Sequence, residues 1–146
     1  MHKGLFILDD FSLIYESVYD EMKSYVNFYS KPQTKEKISK NPLLLKEAEV
    51  IFSGWGCPVM DESFLREAPN LKAVFYGAGS IKYLVTDAFW EREIKITSAY
   101  AANAQPVVEY TLSQILFSLK RGWYYVMKSK SNSRFPDKDW MPGGYR

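Results

Sequence analysis

The residues of this chain best placed to do chemistry lie in two glycine-bearing loops and at the head of one long helical pattern. The apolar run Ala73-Val74-Phe75-Tyr76 breaks into Gly77-Ala78-Gly79, and Val50-Ile51-Phe52 breaks into Ser53-Gly54-Trp55-Gly56-Cys57-Pro58. Glycines after a strand expose backbone N–H groups and let an anion approach closely, because without Cβ the turn can reach positive φ. Two such loops could hold a carboxylate in one crevice, with Trp55 as an apolar wall and Asn103 aiming its amide inward. Each residue also has a plain structural role open to it. The glycines make a tight turn, Trp55 covers a sheet edge, and Asn103 caps a helix. Glu109 reads as a first-turn carboxylate favoured by the helix dipole.

Several chemistries are excluded. A dinucleotide phosphate fingerprint needs a third glycine three residues after the second, where this chain has Lys82. His2 is the only histidine, so a histidine general base, a Ser-His-Asp triad and a His-rich metal site have nothing to draw on here. Asp9-Asp10, Asp61-Glu62 and Glu91-Arg92-Glu93 read as solvated turn and helix-end charges, and no metal site is assigned to them. A net charge of +2 with scattered basic residues leaves no nucleic-acid footprint. The single cysteine, Cys57, precludes an internal disulfide and fits a reduced, cytoplasmic setting. No signal peptide or membrane span is legible.

The elements that must position these loops alternate regularly. Apolar runs at residues 4–8, 25–29, 50–52, 71–76 and 94–97 predict five strands. Leu13, Ile14, Val18 and Met22 predict an amphipathic helix over 12–22. A polar connection over 31–40 follows, and Pro42 opens a helix through Leu43, Leu44 and Leu45. Asp61 or Ser63 caps a short helix holding Phe64 and Leu65, and Thr86 or Asp87 caps another over 88–92. Strands that are near-continuous apolar runs between helices predict an α/β fold, a flavodoxin-like three-layer sandwich on a five-stranded parallel sheet. Pro106 then sits in the first turn of a long helix carrying Val108, Leu112, Ile115, Leu116, Leu119, Trp123 and Met127. Gly122 interrupts that helix at a cost of about 1 kcal/mol. The expected organisation is a domain over 1–104, a connecting helix over 105–130, and an irregular arm over 131–146 containing Phe135 and Trp140. An apolar share of 47% supports a packed core of this size.

Read in order, Pro69-Asn70-Leu71-Lys72-Ala73, Gly77-Ala78-Gly79-Ser80, Ile94-Lys95-Ile96-Thr97, Asn103-Ala104-Gln105-Pro106-Val107-Val108-Glu109 and the helix reaching Leu119-Lys120-Arg121 resemble a known family. They are similar to the N-terminal, substrate-binding (catalytic) region of D-isomer-specific 2-hydroxyacid dehydrogenases. The resemblance implies an oxidoreductase acting on a D-2-hydroxy acid and its 2-keto acid with NAD or NADP. It also implies that the amides of Ala78 and Gly79 meet the substrate carboxylate, with Gly77 shaping the turn and Ala78 bordering the nicotinamide. Asn103 would contact substrate, and residues 53–55 would add contacts through Ser53 and Trp55. Family members are usually dimers, which implies self-association.

The chain departs from the family pattern where Ile81 replaces an aspartate, Val108 an alanine and Glu93 a glycine. In the family a nucleotide-binding domain follows the long helix and brings the catalytic arginine, glutamate and histidine. The sequence stops about where that domain would begin. The resemblance therefore implies a fragment without catalytic residues, inactive alone and binding no cofactor tightly. The other reading is a stand-alone flavodoxin-like binding or signalling module. A receiver-type module would want an aspartate where Ser53-Gly54 ends strand three and a lysine where Thr97-Ser98 ends strand five. A flavin-binding module would want a Ser/Thr-rich loop after strand one.

Overall fold

Strands that are apolar on both sides need cover on both sides. In the computed structural model, which describes residues 1–132, β1 (His2–Ile7), β2 (Val26–Phe28), β3 (Val50–Ser53), β4 (Ala73–Tyr76) and β5 (Lys95–Ser98) form one sheet. Its order is β2-β1-β3-β4-β5 and every pairing is parallel, so the expected α/β sandwich is the observed fold. The chain divides into two units, Met1–Asn103 and Ala104–Arg146.

In the first unit, strand alternation separates two cores. Leu5, Ile7, Ile51, Val74 and Tyr76 face Ile38, Leu45, Phe64, Leu65 and Phe89. These come from α3 (Lys35–Lys40), a 3-10 turn (Pro42–Glu47), α4 (Glu62–Glu67) and α5 (Asp87–Glu91). The other core centres on Phe6, whose ring lies 4.4–5.8 Å from those of Phe11, Tyr15, Tyr19, Phe28 and Phe52. Burying one such ring stabilises by roughly 1.5–3 kcal/mol, so Phe6 is a principal anchor of this layer.

The helix expected over 12–22 is three short pieces: α1 (Phe11–Ile14), a 3-10 turn (Glu16–Val18) and α2 (Tyr19–Met22). Leu13 and Val18, expected on its apolar face, are exposed, and the buried side is carried by Phe11, Ile14, Tyr15, Tyr19 and Met22. Tyr15 leaves helical geometry at φ −121° as its hydroxyl reaches into the sheet. Asp61 is the cap of α4, accepting from the Phe64 N–H at 2.9 Å. Thr86 precedes α5 without capping it, since its hydroxyl donates to the Met60 carbonyl. The Arg92 guanidinium satisfies the far end of α4 by donating to the carbonyls of Leu65, Ala68 and Pro69.

The long helix also differs from its expectation. α6 (Tyr100–Leu119) begins before Asn103, which places Pro106 in the helix interior and Glu109 well past the first turn. Pro106 has no N–H, so α6 lacks one bond of its ladder there. The interruption falls at Lys120 and Arg121, with Arg121 at φ 55°, and α7 (Gly122–Asn132) follows. The arm expected from 131 starts as the last turn of α7. Its remainder, with Phe135 and Trp140, lies outside the described residues. No helix among the described residues is long and apolar enough to cross a membrane.

Glu49 ties the strand starts together at the amino-terminal edge. Its carboxylate accepts from the Lys3 N–H at 3.0 Å and pairs with Lys72 and with His2 at 3.3 Å. Lys72 first, then Lys3 and His2, hold this carboxyl down at about 2, against an ordinary value of 4.5. A carboxyl depressed by folding contributes stability that is present above the unfolded value and lost as pH falls through the folded one. Acid unfolding followed by circular dichroism is therefore expected to show stability falling between about 4.5 and 2, and Glu49→Gln to show a shallower fall across that window.

Candidate functional site

Because the strands run in parallel and in register, Ile7, Ser53, Tyr76 and Ser98 all stand at one edge. The segments that follow them open side by side. The strand order changes direction between β1 and β3, where open sheets part to admit ligands. The loop Ser53-Gly54-Trp55 stands at that switch point, and Gly77-Ala78-Gly79 lies one strand over.

A backbone relay positions Asn103. The Ala99 N–H donates to the Tyr76 carbonyl at 3.0 Å, and the Asn103 N–H donates to the Ala99 carbonyl at 2.9 Å. Asn103 is thus a residue of the first turn and not the cap, which leaves its carboxamide free of capping duty. A Cβ built on Gly79 would lie 3.0 Å from the Asn103 amide nitrogen, so the glycine loop and Asn103 converge.

Gly77 and Gly79 do not adopt positive φ. Gly54 and Gly77 are required by close approach instead. Added Cβ atoms would meet Ile14 at 2.5 and 2.6 Å respectively, and that of Gly77 would also meet the Tyr15 hydroxyl at 2.9 Å. The same hydroxyl donates to the carbonyls of Ser53 at 2.8 Å and Phe75 at 3.1 Å. Neither Ile14 nor Tyr15 stands out in sequence as a site residue, because their partners are 38 or more positions away.

The remaining predicted residues divide clearly. Ser53 is fully buried and its hydroxyl donates to the Ile7 carbonyl, so it serves the sheet and is closed to a ligand. Ala78 is also fully buried, while Gly77 and Gly79 on either side of it are half-buried. Trp55 is half exposed, and its carbonyl accepts from the Asp9 N–H. Burial pushes the Cys57 thiol up to about 11, which keeps it neutral and unreactive near pH 7. The phenol of Tyr76 is raised as well, by burial and then by its hydrogen bond with Tyr83.

His2 begins β1 and contacts Glu49, so it sits at the opposite edge of the sheet. It cannot serve the carboxyl edge as a base. Among the described residues no cluster of His, Cys, Asp or Glu is placed to hold a metal. An apolar groove of about 440 Å³, lined by Val26, Val50, Ala73 and Phe75 among others, also lies toward the amino-terminal half and includes none of these site residues.

No family model and no curated protein sequence matches the chain. Solved structures do. A D-lactate dehydrogenase from Aquifex aeolicus, complexed with NAD and lactic acid, is 18% identical with a TM-score of 0.66, over 94% of this chain and 40% of its own. The fold is shared with these oxidoreductases. An acyclic imino acid reductase in complex with NADPH and D-Arg is 15% identical with a TM-score of 0.63, over 100% of this chain and 46% of its own. An NAD-complexed D-isomer specific 2-hydroxyacid dehydrogenase from Lactobacillus delbrueckii ssp. bulgaricus is 10% identical with a TM-score of 0.62, over 96% and 42%. The chain therefore spans less than half the length of each.

Burial pushes the Tyr15 hydroxyl up to about 12 from 10.0, with the Gly77 backbone partly opposing. A group raised by folding contributes stability that is complete below its unfolded value and lost as pH rises through the folded one. Urea unfolding at successive pH values is expected to show stability falling between about 10 and 12. Tyr29 and Tyr76 shift in the same direction. Tyr15→Phe should therefore retain a fall, smaller by roughly 3 kcal/mol.

Proposed function

We propose that the Met1–Asn103 unit is the substrate-binding part of an NAD(P)-dependent oxidoreductase that interconverts a D-2-hydroxy acid and its 2-keto acid. The observation that carries this reading is the approach of the Asn103 carboxamide to Gly79 at the carboxyl edge of the sheet. A backbone N–H and a carboxamide N–H are donors that suit a carboxylate, and two neutral donors fix its orientation. Trp55 stands at the neighbouring loop as an apolar wall. The neighbours add support. One is solved with NAD and lactic acid and another with NADPH and D-Arg, ligand sets that pair a dinucleotide with a small carboxylic acid substituted at the next carbon.

The residues present do not fit a dinucleotide. Lys82 occupies the place of a third glycine and Ala78 is buried, so NAD or NADP belongs, in this reading, to polypeptide outside this chain. The same holds for the catalytic groups, since the only histidine is at the far edge.

Titrating the 15N-labelled chain with oxamate, a 2-oxo carboxylate mimic, tests the site. The Gly79 amide and the Asn103 side-chain resonances are expected to shift with a Kd on the order of millimolar, and Asn103→Ala to weaken binding about tenfold. Absence of any shift at the carboxyl edge would overturn the assignment in favour of a module without this ligand. The same preparation supplied with pyruvate and NADH or NADPH is expected to show no nicotinamide oxidation; turnover would place catalytic groups inside this chain.

The second unit bears on assembly. Val107, Val108, Leu112, Ile115, Leu116 and Leu119 of α6 are all exposed, and contiguous apolar surface of this kind drives association. Sedimentation velocity is expected to show a dimer or larger species that dissociates in the double variant Leu112→Ser, Ile115→Ser. A monomer at every concentration would refute the self-association.

A further inference from the structure

We infer that the Ile14–Tyr15 corner is a positioning element that sets the spacing of the two ligand loops, an inference that rests on the functional reading above. Three observations converge on it. The Ile14 side chain occupies the space that a Cβ on either Gly54 or Gly77 would take, so one aliphatic wedge is shared by the loops after β3 and β4. The Tyr15 hydroxyl donates to the carbonyls of Ser53 and Phe75, at the ends of those same strands. The Gly77 N–H donates to the Ser53 carbonyl at 2.8 Å, so the first residue of the glycine loop and the Tyr15 hydroxyl share one acceptor.

The corner therefore fixes where β3 and β4 end relative to each other. Two residues past Gly77 is Gly79, whose backbone faces Asn103. A displacement at the Tyr15 hydroxyl passes through the Ser53 carbonyl and Gly77 to the amide that meets the ligand. Neither Ile14 nor Tyr15 touches the substrate in this arrangement; both act through the loops. Helix α1 (Phe11–Ile14) is only four residues long, and the chain leaves helical geometry at Tyr15, where the hydroxyl makes these contacts. A continuous helix would carry Tyr15 as one more face residue. The break turns it into a latch.

Oxamate titration of four variants by amide resonances tests the inference. Tyr15→Phe removes one hydroxyl and is expected to weaken oxamate binding about fivefold, the share of one hydrogen bond. Ile14→Ala should weaken it similarly, and Ile14→Val should restore most of the affinity. Ile38→Val, a truncation in the core on the opposite face of the sheet, should lower the unfolding midpoint while leaving the dissociation constant unchanged. Without ligand, Tyr15→Phe is expected to move the amide resonances of Gly54, Gly77 and Gly79, and Ile38→Val to leave them in place. If Asn103→Ala weakens binding and Tyr15→Phe does not, the positioning role is overturned and the functional reading stands. Equal weakening by Tyr15→Phe and Ile38→Val would reduce the role to general stability and overturn it as well. If the unaltered chain does not bind oxamate, the functional reading falls and takes the inference with it.

Discussion

Four strands end in step, at Ile7, Ser53, Tyr76 and Ser98, and the features of the carboxyl edge follow from that register. A parallel sheet slants its hydrogen bonds and has no hairpin to set where a strand stops, so the stopping points must be held by something else. Here the Ser53 hydroxyl donates to the Ile7 carbonyl, and the Tyr15 hydroxyl joins the ends of β3 and β4. Tyr76 passes the register on to β5 and α6 by accepting the Ala99 N–H. The links made at Ser53, by its hydroxyl and to its carbonyl, are buried, and there a broken bond would leave a costly unpaired acceptor. The edge is consequently a connected network and not a set of independent loops.

That network changes what the glycines mean. A glycine-rich loop after a strand invites the reading that its backbone reaches positive φ to meet an anion, but Gly54 and Gly77 are small because Ile14 packs against them. Gly79 is the glycine that approaches Asn103, and Asn103 reaches it because α6 starts at Tyr100. Moving the helix start to the position suggested by Pro106 would put Asn103 before the first turn and commit its side chain to capping. The tertiary bond between Ala99 and Tyr76 decides against that. Local preference for proline at the start of a helix is worth less than a fixed strand end.

How much was legible in sequence depends on the range of the forces involved. β1 and β3 could be read because residues 5–7 and 50–53 are buried on both faces, and β4, whose Phe75 is exposed, because Ala73 to Tyr76 are apolar without interruption. The short helix after Asp61 could be read from its cap, a contact spanning three residues. The loops and Asn103 were found as chemistry-bearing residues, and their convergence follows once the sheet is known to be parallel. The Ile14–Tyr15 corner could not be found, because its contacts link positions 38 to 63 residues apart and nothing local marks them. For the same reason the segment from Phe11 to Met22 was legible as amphipathic but not as broken; its aromatic residues, spaced by four, outweigh Leu13 and Val18. Ser53 misleads in sequence because a hydroxyl beside a glycine loop looks available, whereas the register buries it.

The edge also has a distinctive electrostatic character. Its donors are backbone amides and a carboxamide, and its buried ionisable groups are held neutral: the Tyr15 phenol is pushed up to about 12 and the Cys57 thiol to about 11. The one imidazole is at the other edge, beside Glu49. A site of neutral dipoles can replace part of an anion's hydration without itself changing protonation, and it can fix the plane of a carboxylate. The amides, the Tyr15 phenol and the Cys57 thiol do not give or take a proton near neutral pH. Interconverting a hydroxyl and a carbonyl needs both a hydride acceptor and a group that exchanges a proton with the oxygen. The described residues bring no imidazole to this edge. The division proposed above, with the carboxylate recognised here and proton and hydride transfer supplied elsewhere, rests on which groups the register brings together and which it places a sheet's width away.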